Sequence, residues 1–151
     1  FLAINLLIIP GVFWLAAALS KKISHQQLTT RHLFVDYAYT LVPMGLAAWI
    51  AFSLGFVLVN GSYAMRVLSD PFGWGWNLFG TSDVAWTPIW PEIIPFLQVG
   101  CLTIGLLFAV NTTYSIARQH TMEHRQAFIA TLPVTGFLLV TTLSFLWLYL
   151  G

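Results

Sequence analysis

The segment Asn60–Pro95 reads NGSYAMRVLSDPFGWGWNLFGTSDVAWTPIWPEIIP and separates two long apolar runs. It contains four of the seven tryptophans, four of the seven prolines and three of the five acidic residues. Its large aromatic side chains would be costly to expose in water, and Asp70-Pro71 and Trp90-Pro91 would interrupt a spanning helix. Because tryptophan is enriched at membrane–water boundaries, we predict that residues 60–92 form a structured aromatic cap at such a boundary. The rest of the chain then holds this cap in place.

The composition indicates an integral membrane protein. Hydrophobic residues make up 58% of the 151 residues and charged residues only 7%, whereas soluble domains carry about 25% charged residues. The net charge of +1 provides no basic face for nucleic acid. The single cysteine, Cys101, excludes an intrachain disulfide and a four-thiolate cluster. The chain begins at Phe1 without an initiator methionine, so we expect a fragment or a processed product whose true N-terminus is missing.

Four apolar runs of spanning length predict an all-α integral membrane four-helix bundle that forms one domain over residues 1–151. The predicted spans are residues 2–19, 33–59, 93–116 and 127–150. Pro10 and Pro43 predict kinks within the first and second spans. The second span also offers small residues for close helix packing, at Gly45, Ala47, Ala48, Ala51 and Gly55.

The distribution of basic residues predicts the orientation of the bundle. Five of the six lysines and arginines lie in the first and third connections, at Lys21, Lys22, Arg31, Arg118 and Arg125. The cap carries only Arg66 against three acids. Because positive charge marks cytoplasmic loops, we predict a multi-pass protein of the inner (cytoplasmic) membrane. The cap and both chain ends would face the periplasm or the exterior.

Two polar residues of the spans are candidates for a quinone or proton site. Asp36 is one, because ionisable groups within a membrane are costly and often functional. The alternative is a carboxylate at a helix start, paired with Arg31 or His32. Gln98 is the second candidate, although such an amide more often bonds a neighbouring helix.

A histidine pair suggests a metal site, and a competing interpretation is stronger. His120-Thr-Met-Glu123-His124 matches H-x-x-E-H, which on a helix would place His120 and His124 on one face. The motif lies in a short polar turn without a third ligand or a cleft, which favours a hydrated basic turn. His25 and His32 also lie in or beside predicted loops, so we expect no bis-histidine haem within the spans.

The aromatic residues of the cap are candidates for a partner-binding surface. They are Phe72, Trp74, Trp76, Trp86 and Trp90. The alternative for each single residue is an aromatic belt at the membrane boundary. The sequence Ser69-Asp-Pro-Phe-Gly-Trp-Gly-Trp76 is elaborate for a simple connection, so for the cap as a whole we favour the partner surface.

Two stretches resemble the membrane portion of bacterial polyferredoxin-type 4Fe-4S electron-transfer proteins, which are grouped with accessory proteins of nitrate and nitrous-oxide reductases. They are YTLVPMGLAAWIAFSL at residues 39–54 and SDPFGWGWNLFGT at residues 69–81. The stretches Trp90-Pro91 to Gln98 and Tyr114–Arg118 are similar to the same group. In that family, cytoplasmic clusters exchange electrons with the quinone pool or an extracytoplasmic partner.

The chain departs from this family in its metal ligands. The C-x-x-C-x-x-C-x-x-x-C-P cluster motifs are absent, and no histidine pair follows Trp49. The resemblance therefore assigns no cluster or haem ligand to this chain, and any 4Fe-4S clusters would belong to a missing portion or to another chain.

We expect a membrane-anchor subunit, or fragment, of a respiratory electron-transfer complex, which contacts lipids and other membrane subunits and possesses no catalytic site of its own. One alternative is a purely structural subunit of a larger membrane enzyme. A second alternative is a small transporter with Asp36, Gln98 and Asn111 along its path. This alternative is weaker, because the chain shows no inverted repeat.

Overall fold

The computed structural model describes residues 4–24, 28–121 and 123–151, and within these residues all regular structure is helical. A π-helical turn, Ile4–Ile8, leads into the first α-helix. The five α-helices are α1 (Ile9–Ser24), α2 (Thr30–Ala38), α3 (Leu41–Ser69), α4 (Ile94–Gln119) and α5 (His124–Leu150).

Four helical stretches are long and apolar enough to cross a membrane. They are Leu6–Ile23, Thr30–Ser69, Ile94–Gln119 and His124–Leu150. This confirms the predicted all-helical class with four stretches of spanning length, which is compatible with a multi-pass membrane protein. Residues 2 and 3 of the first predicted span lie outside the described residues.

The helix of the second span extends into the predicted cap. Helix α3 continues beyond Val59 to Ser69, so the first ten residues of the predicted cap are helical and the non-helical connection covers residues 70–93. Ala64, Met65 and Leu68 are good helix formers, whereas Asp70 precedes a proline and is disfavoured in the α conformation. The helix therefore ends where the backbone requires it, past the end of the apolar run.

Prolines shape the starts of the first two spans. The backbone is interrupted at Tyr39 and Thr40 between α2 and α3, where the Tyr39 carbonyl accepts an N–H from Val42 at 3.3 Å. Pro43 lies four residues after Tyr39, and its ring would clash with that carbonyl in a continuous helix. The break therefore lies one turn before the proline. Pro10 follows the π-helical turn at Ile4–Ile8, so both predicted distortions are present near their prolines.

The long helices pack as neighbours in the order α3, α4, α5, α1, and the short α2 contacts α1, α3 and α4. Phe13 of α1 is buried between Phe34 and Phe137, with ring centroids at 5.4 and 5.2 Å. Met44, Leu102 and Leu138 extend this core along the other helices.

Small residues bring α3 and α4 close together. A Cβ added at Gly105 would collide with the Cβ of Ala47. Ala47, Ala48, Ala51 and Gly55 are buried, as predicted for packing positions. Gly45 is exposed, and a Cβ there would meet nothing within 4 Å, so it does not pack against another described helix of this chain.

Candidate functional site

The connection between α3 and α4 begins with a carboxylate that organises its own loop. The two Asp70 carboxylate oxygens accept the backbone N–H groups of Trp74 and Gly75, each at 2.9 Å. Gly73 and Gly75 have φ values of 70° and 80°, which side-chain-bearing residues rarely adopt. Aspartate followed by proline and spaced glycines is a turn signal, and this local geometry accounts for the pattern D-P-F-G-W-G.

This turn holds three aromatic rings in mutual contact. The centroids of Phe72 and Trp74 are 5.0 Å apart, those of Trp74 and Trp76 are 5.1 Å apart, and those of Phe72 and Trp76 are 5.9 Å apart. Such spacings are typical of favourable aromatic pairs. Even so, Phe72 is 64% exposed and Trp74 is 69% exposed. We call Phe72, Trp74 and Trp76 the aromatic tip.

A second set of polar contacts fixes the tip to the end of α3. The buried Ser69 hydroxyl donates to the Asn77 side-chain oxygen at 3.1 Å and accepts the Phe79 N–H at 3.2 Å. The Asn77 oxygen also accepts the N–H of Ser82 at 3.3 Å. Ser69 and Asn77 hold the loop that presents the aromatic residues, and neither was predicted from the sequence as a site residue.

After the tip, the chain returns alongside α3 in the opposite direction. The Thr81 hydroxyl donates to the Met65 carbonyl at 2.8 Å, and the N–H of Ile89 donates to the Leu58 carbonyl at 2.8 Å. Between these points, the Ser62 hydroxyl donates to the Thr87 carbonyl at 2.8 Å and accepts the Thr87 N–H at 3.0 Å. The connection is therefore attached at three points along about two turns of α3.

The remaining predicted partner residues lie lower on this connection. The Trp86 indole N–H donates to the Val59 carbonyl at 3.1 Å, yet the side chain is 56% exposed. Trp90 is 70% exposed and has a φ of 45°, which is uncommon for a residue other than glycine. Its carbonyl accepts the N–H of Ile93 at 3.0 Å, which closes the turn that leads into α4. All five predicted partner residues are exposed, but only three of them form one cluster.

A polar cleft of about 610 Å³ lies beside the aromatic tip. Arg66 and two acids, Asp70 and Asp83, line it together with Asn77 and Ser82. The carboxylate of Asp70 accepts hydrogen bonds from its own loop. The carboxylate of Asp83, the second acid of the cleft, takes no part in the loop hydrogen bonds described above. The cleft therefore combines one positive and two negative groups with amide and hydroxyl oxygens.

At the opposite end of the helices, Asp36 meets His120. The Asp36 carboxylate lies 3.0 Å from Nε2 of His120, and the two side chains are 29% and 23% exposed. The contact joins α2 to the end of α4, whereas the predicted alternative paired Asp36 with Arg31 or His32. A neutral imidazole with its proton on Nε2 donates a hydrogen bond here, and a protonated one forms an ion pair.

Next to this pair, a buried hydroxyl contact joins three helices. The Ser20 hydroxyl donates to the Ala130 carbonyl at 2.6 Å and lies 3.1 Å from the Tyr37 hydroxyl. Ser20, Tyr37 and Ala130 are all fully buried. Polar contacts therefore fix α1, α2 and α5 to one another at this end.

Gln98, the second quinone or proton candidate, lies far from Asp36. Its amide donates to the Ala51 carbonyl at 3.4 Å and lies against the backbone of Gly55. Measured along α4, Gln98 is about 33 Å from His120 at 1.5 Å per residue. The structure therefore does not bring Asp36 and Gln98 into one site. Asn111 is exposed on α4, so it shares no path with either of them.

The two candidate metal ligands do not share a helix. His120 follows the last residue of α4, whereas His124 is the first residue of α5 and lies 3.2 Å from the Tyr114 hydroxyl through Nδ1. Met122 of the motif and His25 lie outside the described residues. Among the described residues, no group of three histidine, cysteine or acidic side chains is placed to hold a metal ion. The i, i+4 geometry that the motif would require is absent.

An apolar groove of about 820 Å³ runs between α1 and α5. Ile9, Leu15, Pro133 and Phe137 are among its lining residues. The hydroxyl of Ser144, also in the groove, donates to its own helix at the Val140 carbonyl. The groove thus offers hydrocarbon contacts, and its size is that of small-molecule pockets.

Comparison with known proteins finds no family model, no curated protein and no solved structure that matches the chain. The resemblance of residues 39–54 and 69–81 to polyferredoxin-type membrane proteins therefore stays a prediction.

Proposed function

We propose that the chain is a membrane-anchor subunit, or fragment, of a respiratory electron-transfer complex. It spans the membrane with four helices and positions redox partners at its two ends. Quinone, if the complex uses it, would contact this subunit within the membrane. Electron-transfer centres belong to another portion of the complex, because one cysteine cannot supply a cluster with four thiolates.

The observation that carries this proposal is the exposed aromatic tip, whose loop is held by hydrogen bonds. Exposed apolar patches rimmed by polar groups mark protein or membrane contacts. In this loop the carboxylate of Asp70 and the hydroxyl of Ser69 accept backbone N–H groups, and these hydrogen bonds hold the loop that carries the exposed aromatic rings. A loop that only joined two helices would not need exposed aromatic rings, whereas a loop that contacts another subunit of a complex would use them as contact residues.

A purely structural subunit is the second candidate, and the polar contacts of the helices favour it. Asp36 is paired with His120, and Gln98 is bonded to α3, so both predicted quinone or proton candidates already serve helix packing. In this case the chain would stabilise a larger membrane enzyme without contact to a redox centre or quinone.

The test is the mass, iron content and visible spectrum of the native assembly, purified in mild detergent through a tag on this chain. The electron-transfer proposal expects iron and a broad absorption band of iron–sulfur clusters in a stable assembly, or quinone in its lipid extract. A stable assembly without iron or quinone would reject the proposal and leave the structural subunit.

A variant sharpens the distinction between the two candidates. Asp36→Asn keeps the size of the side chain and removes its charge. If Asp36 contacts quinone, this variant lowers the quinone content of an otherwise intact assembly. If Asp36 only packs the helices, thermal stability falls while the quinone content per assembly stays constant. Glu92→Gln, at an exposed acid at the other end of the molecule, is the matched control.

A further inference from the structure

The aromatic tip lies far above the level at which the other helices end. Ile94, the first residue of α4, lies beside Gly55, since a Cβ at Gly55 would be 3.6 Å from its side chain. The part of α3 beyond Gly55, which ends at Ser69, rises about 20 Å further at 1.5 Å per residue. The returning connection is bonded to this part of α3, so the two together form a projecting pillar.

The basic residues at the other end locate the membrane relative to this pillar. Arg118 marks one boundary, and about 20 residues are needed to span the hydrocarbon core. Counted back along α4, this length ends at Gln98, which lies against Gly55. The headgroup layer adds only about 5–8 Å on each side of the core. The tip, about 20 Å beyond Gly55, therefore stands outside the lipid headgroups.

The charge of the connection indicates what kind of surface covers the tip. Residues 70–93 include three acids and no lysine, arginine or histidine. Asp83 lines the polar cleft next to the tip, where two acids outnumber the single cation, Arg66, and where a basic side chain of a partner would find carboxylate, amide and hydroxyl oxygens. Tryptophan anchors with opposite charges at the rim are typical of protein interfaces.

We propose that the aromatic tip docks a protein domain outside the membrane, whose binding site is an apolar pocket with lysine or arginine at its rim. The domain takes up Phe72 and Trp74, and one of its basic side chains enters the cleft at Asp83. This inference rests on the proposed function and adds to it the position and chemistry of the partner.

The first experiment measures the depth of the tip in vesicles. Phe72→Cys and Phe108→Cys are made in a Cys101→Ser background and spin-labelled; both phenylalanines are exposed, at 64% and 61%. In vesicles of neutral phospholipid, we expect the label at position 72 to contact a water-soluble paramagnetic nickel reagent. The label at position 108, in the middle of α4, should contact dissolved oxygen within the bilayer. A lipid-embedded label at position 72 would overturn the proposal.

The second experiment identifies what the tip touches in native membranes. The photoreactive p-benzoylphenylalanine replaces Phe72 in one variant and Phe108 in the other. Position 72 should crosslink to a different protein with an extramembrane domain, and the crosslink should weaken with added salt and be lost in Asp83→Lys. Asp83→Asn should retain part of it.

Other outcomes at position 72 would contradict the proposal. Crosslinking to lipid would assign the tip to the headgroup layer, and crosslinking to a second copy of this chain would make it an oligomer contact. No protein crosslink, or an identical pattern at position 108, would also reject it. Because iron and quinone are measured on the assembly, the electron-transfer proposal can stand when this docking proposal fails.

Discussion

Asp36 and His120, 84 residues apart in the sequence, meet at 3.0 Å and connect the short helix α2 to the end of α4. Both side chains are partly exposed, so water weakens their attraction. The contact is nevertheless made between two different helices, by residues that no local sequence pattern links. The contact lies at the end of the molecule that also carries most of the basic residues.

A double-mutant cycle should detect this contact as a small coupling. Asp36→Asn and His120→Gln are each expected to lower the free energy of unfolding in detergent. The double variant should lose less than the sum of the two single losses. We expect a coupling free energy of about 0.5–1 kcal/mol, as for partly exposed ion pairs. Thermal unfolding of the four proteins provides the measurement. Strict additivity would mean that the two side chains do not interact in the folded protein.

The packing of α3 against α4 should be most sensitive at Gly105. Gly105→Ala places a methyl group against the Cβ of Ala47, and relief would require the two helix backbones to separate. A loss of about 1–3 kcal/mol is expected from overpacking. Gly55→Ala should cost less, because the atom it meets at 2.8 Å belongs to the flexible amide of Gln98.

The control for this series lies on the same helix. A Cβ at Gly100 would meet nothing within 4 Å, so Gly100→Ala should leave stability unchanged or raise it by about 1 kcal/mol, since alanine favours a helix. Thermal stability in one detergent ranks the three variants. If Gly100→Ala were as damaging as Gly105→Ala, the close approach of α3 and α4 would be refuted.

Much of the fold was predictable because long apolar runs indicate helices that are long and apolar enough to span a membrane. The end of α3 was not predictable from the sequence, because hydropathy marks where a helix leaves the apolar core and does not mark where its backbone hydrogen bonds stop. Residues 60–69 are more polar than the run before them, yet they continue the helix as far as Asp70-Pro71. The predicted end at Val59 therefore lies near the level at which α4 begins.

The candidate site was predictable in its residues and less so in its geometry. The concentration of tryptophan and glycine pointed to Phe72, Trp74 and Trp76, which do form a cluster. The contacts of Ser62 with Thr87 and of Asp36 with His120 depend on how distant segments fold back. Among these contacts, only those within the Asp70 turn could have been predicted from the sequence, because they join residues that are close in the chain.

The Asp70 carboxylate should control the order of the aromatic tip. Asp70→Ala removes the acceptor of two backbone N–H groups, and each hydrogen bond to a charged group is worth about 1.5–3 kcal/mol, less where water competes. We expect a weaker near-ultraviolet circular dichroism signal from Trp74 and Trp76 and faster proteolysis of the loop. Asp83→Ala, on the same connection, is the control. Equal effects of both variants would contradict the role of Asp70.

The attachment of the connection to α3 should depend on Ser62. Ser62→Ala removes a hydroxyl that both donates to the Thr87 carbonyl and accepts the Thr87 N–H, so both backbone groups of Thr87 lose this partner. Hydrogen exchange at the Thr87 amide should accelerate by about fivefold, since one lost hydrogen bond is worth about 1 kcal/mol. Ser82→Ala keeps the backbone bond to Asn77 and is the control. Unchanged exchange in Ser62→Ala would show that this contact does not hold the loop.

The orientation of the chain can be tested from the distribution of its basic residues. Arg118 and Arg125 flank the turn between α4 and α5, and the cap connection contains no basic residue after Arg66. Positive charge near the ends of spanning helices favours the cytoplasmic side. In a Cys101→Ser background, Ala85→Cys should react with a membrane-impermeant maleimide in intact cells or spheroplasts. Gln119→Cys, also exposed, should react only after the membrane is opened. The reverse pattern would place the aromatic tip in the cytoplasm and would require its partner to be sought there.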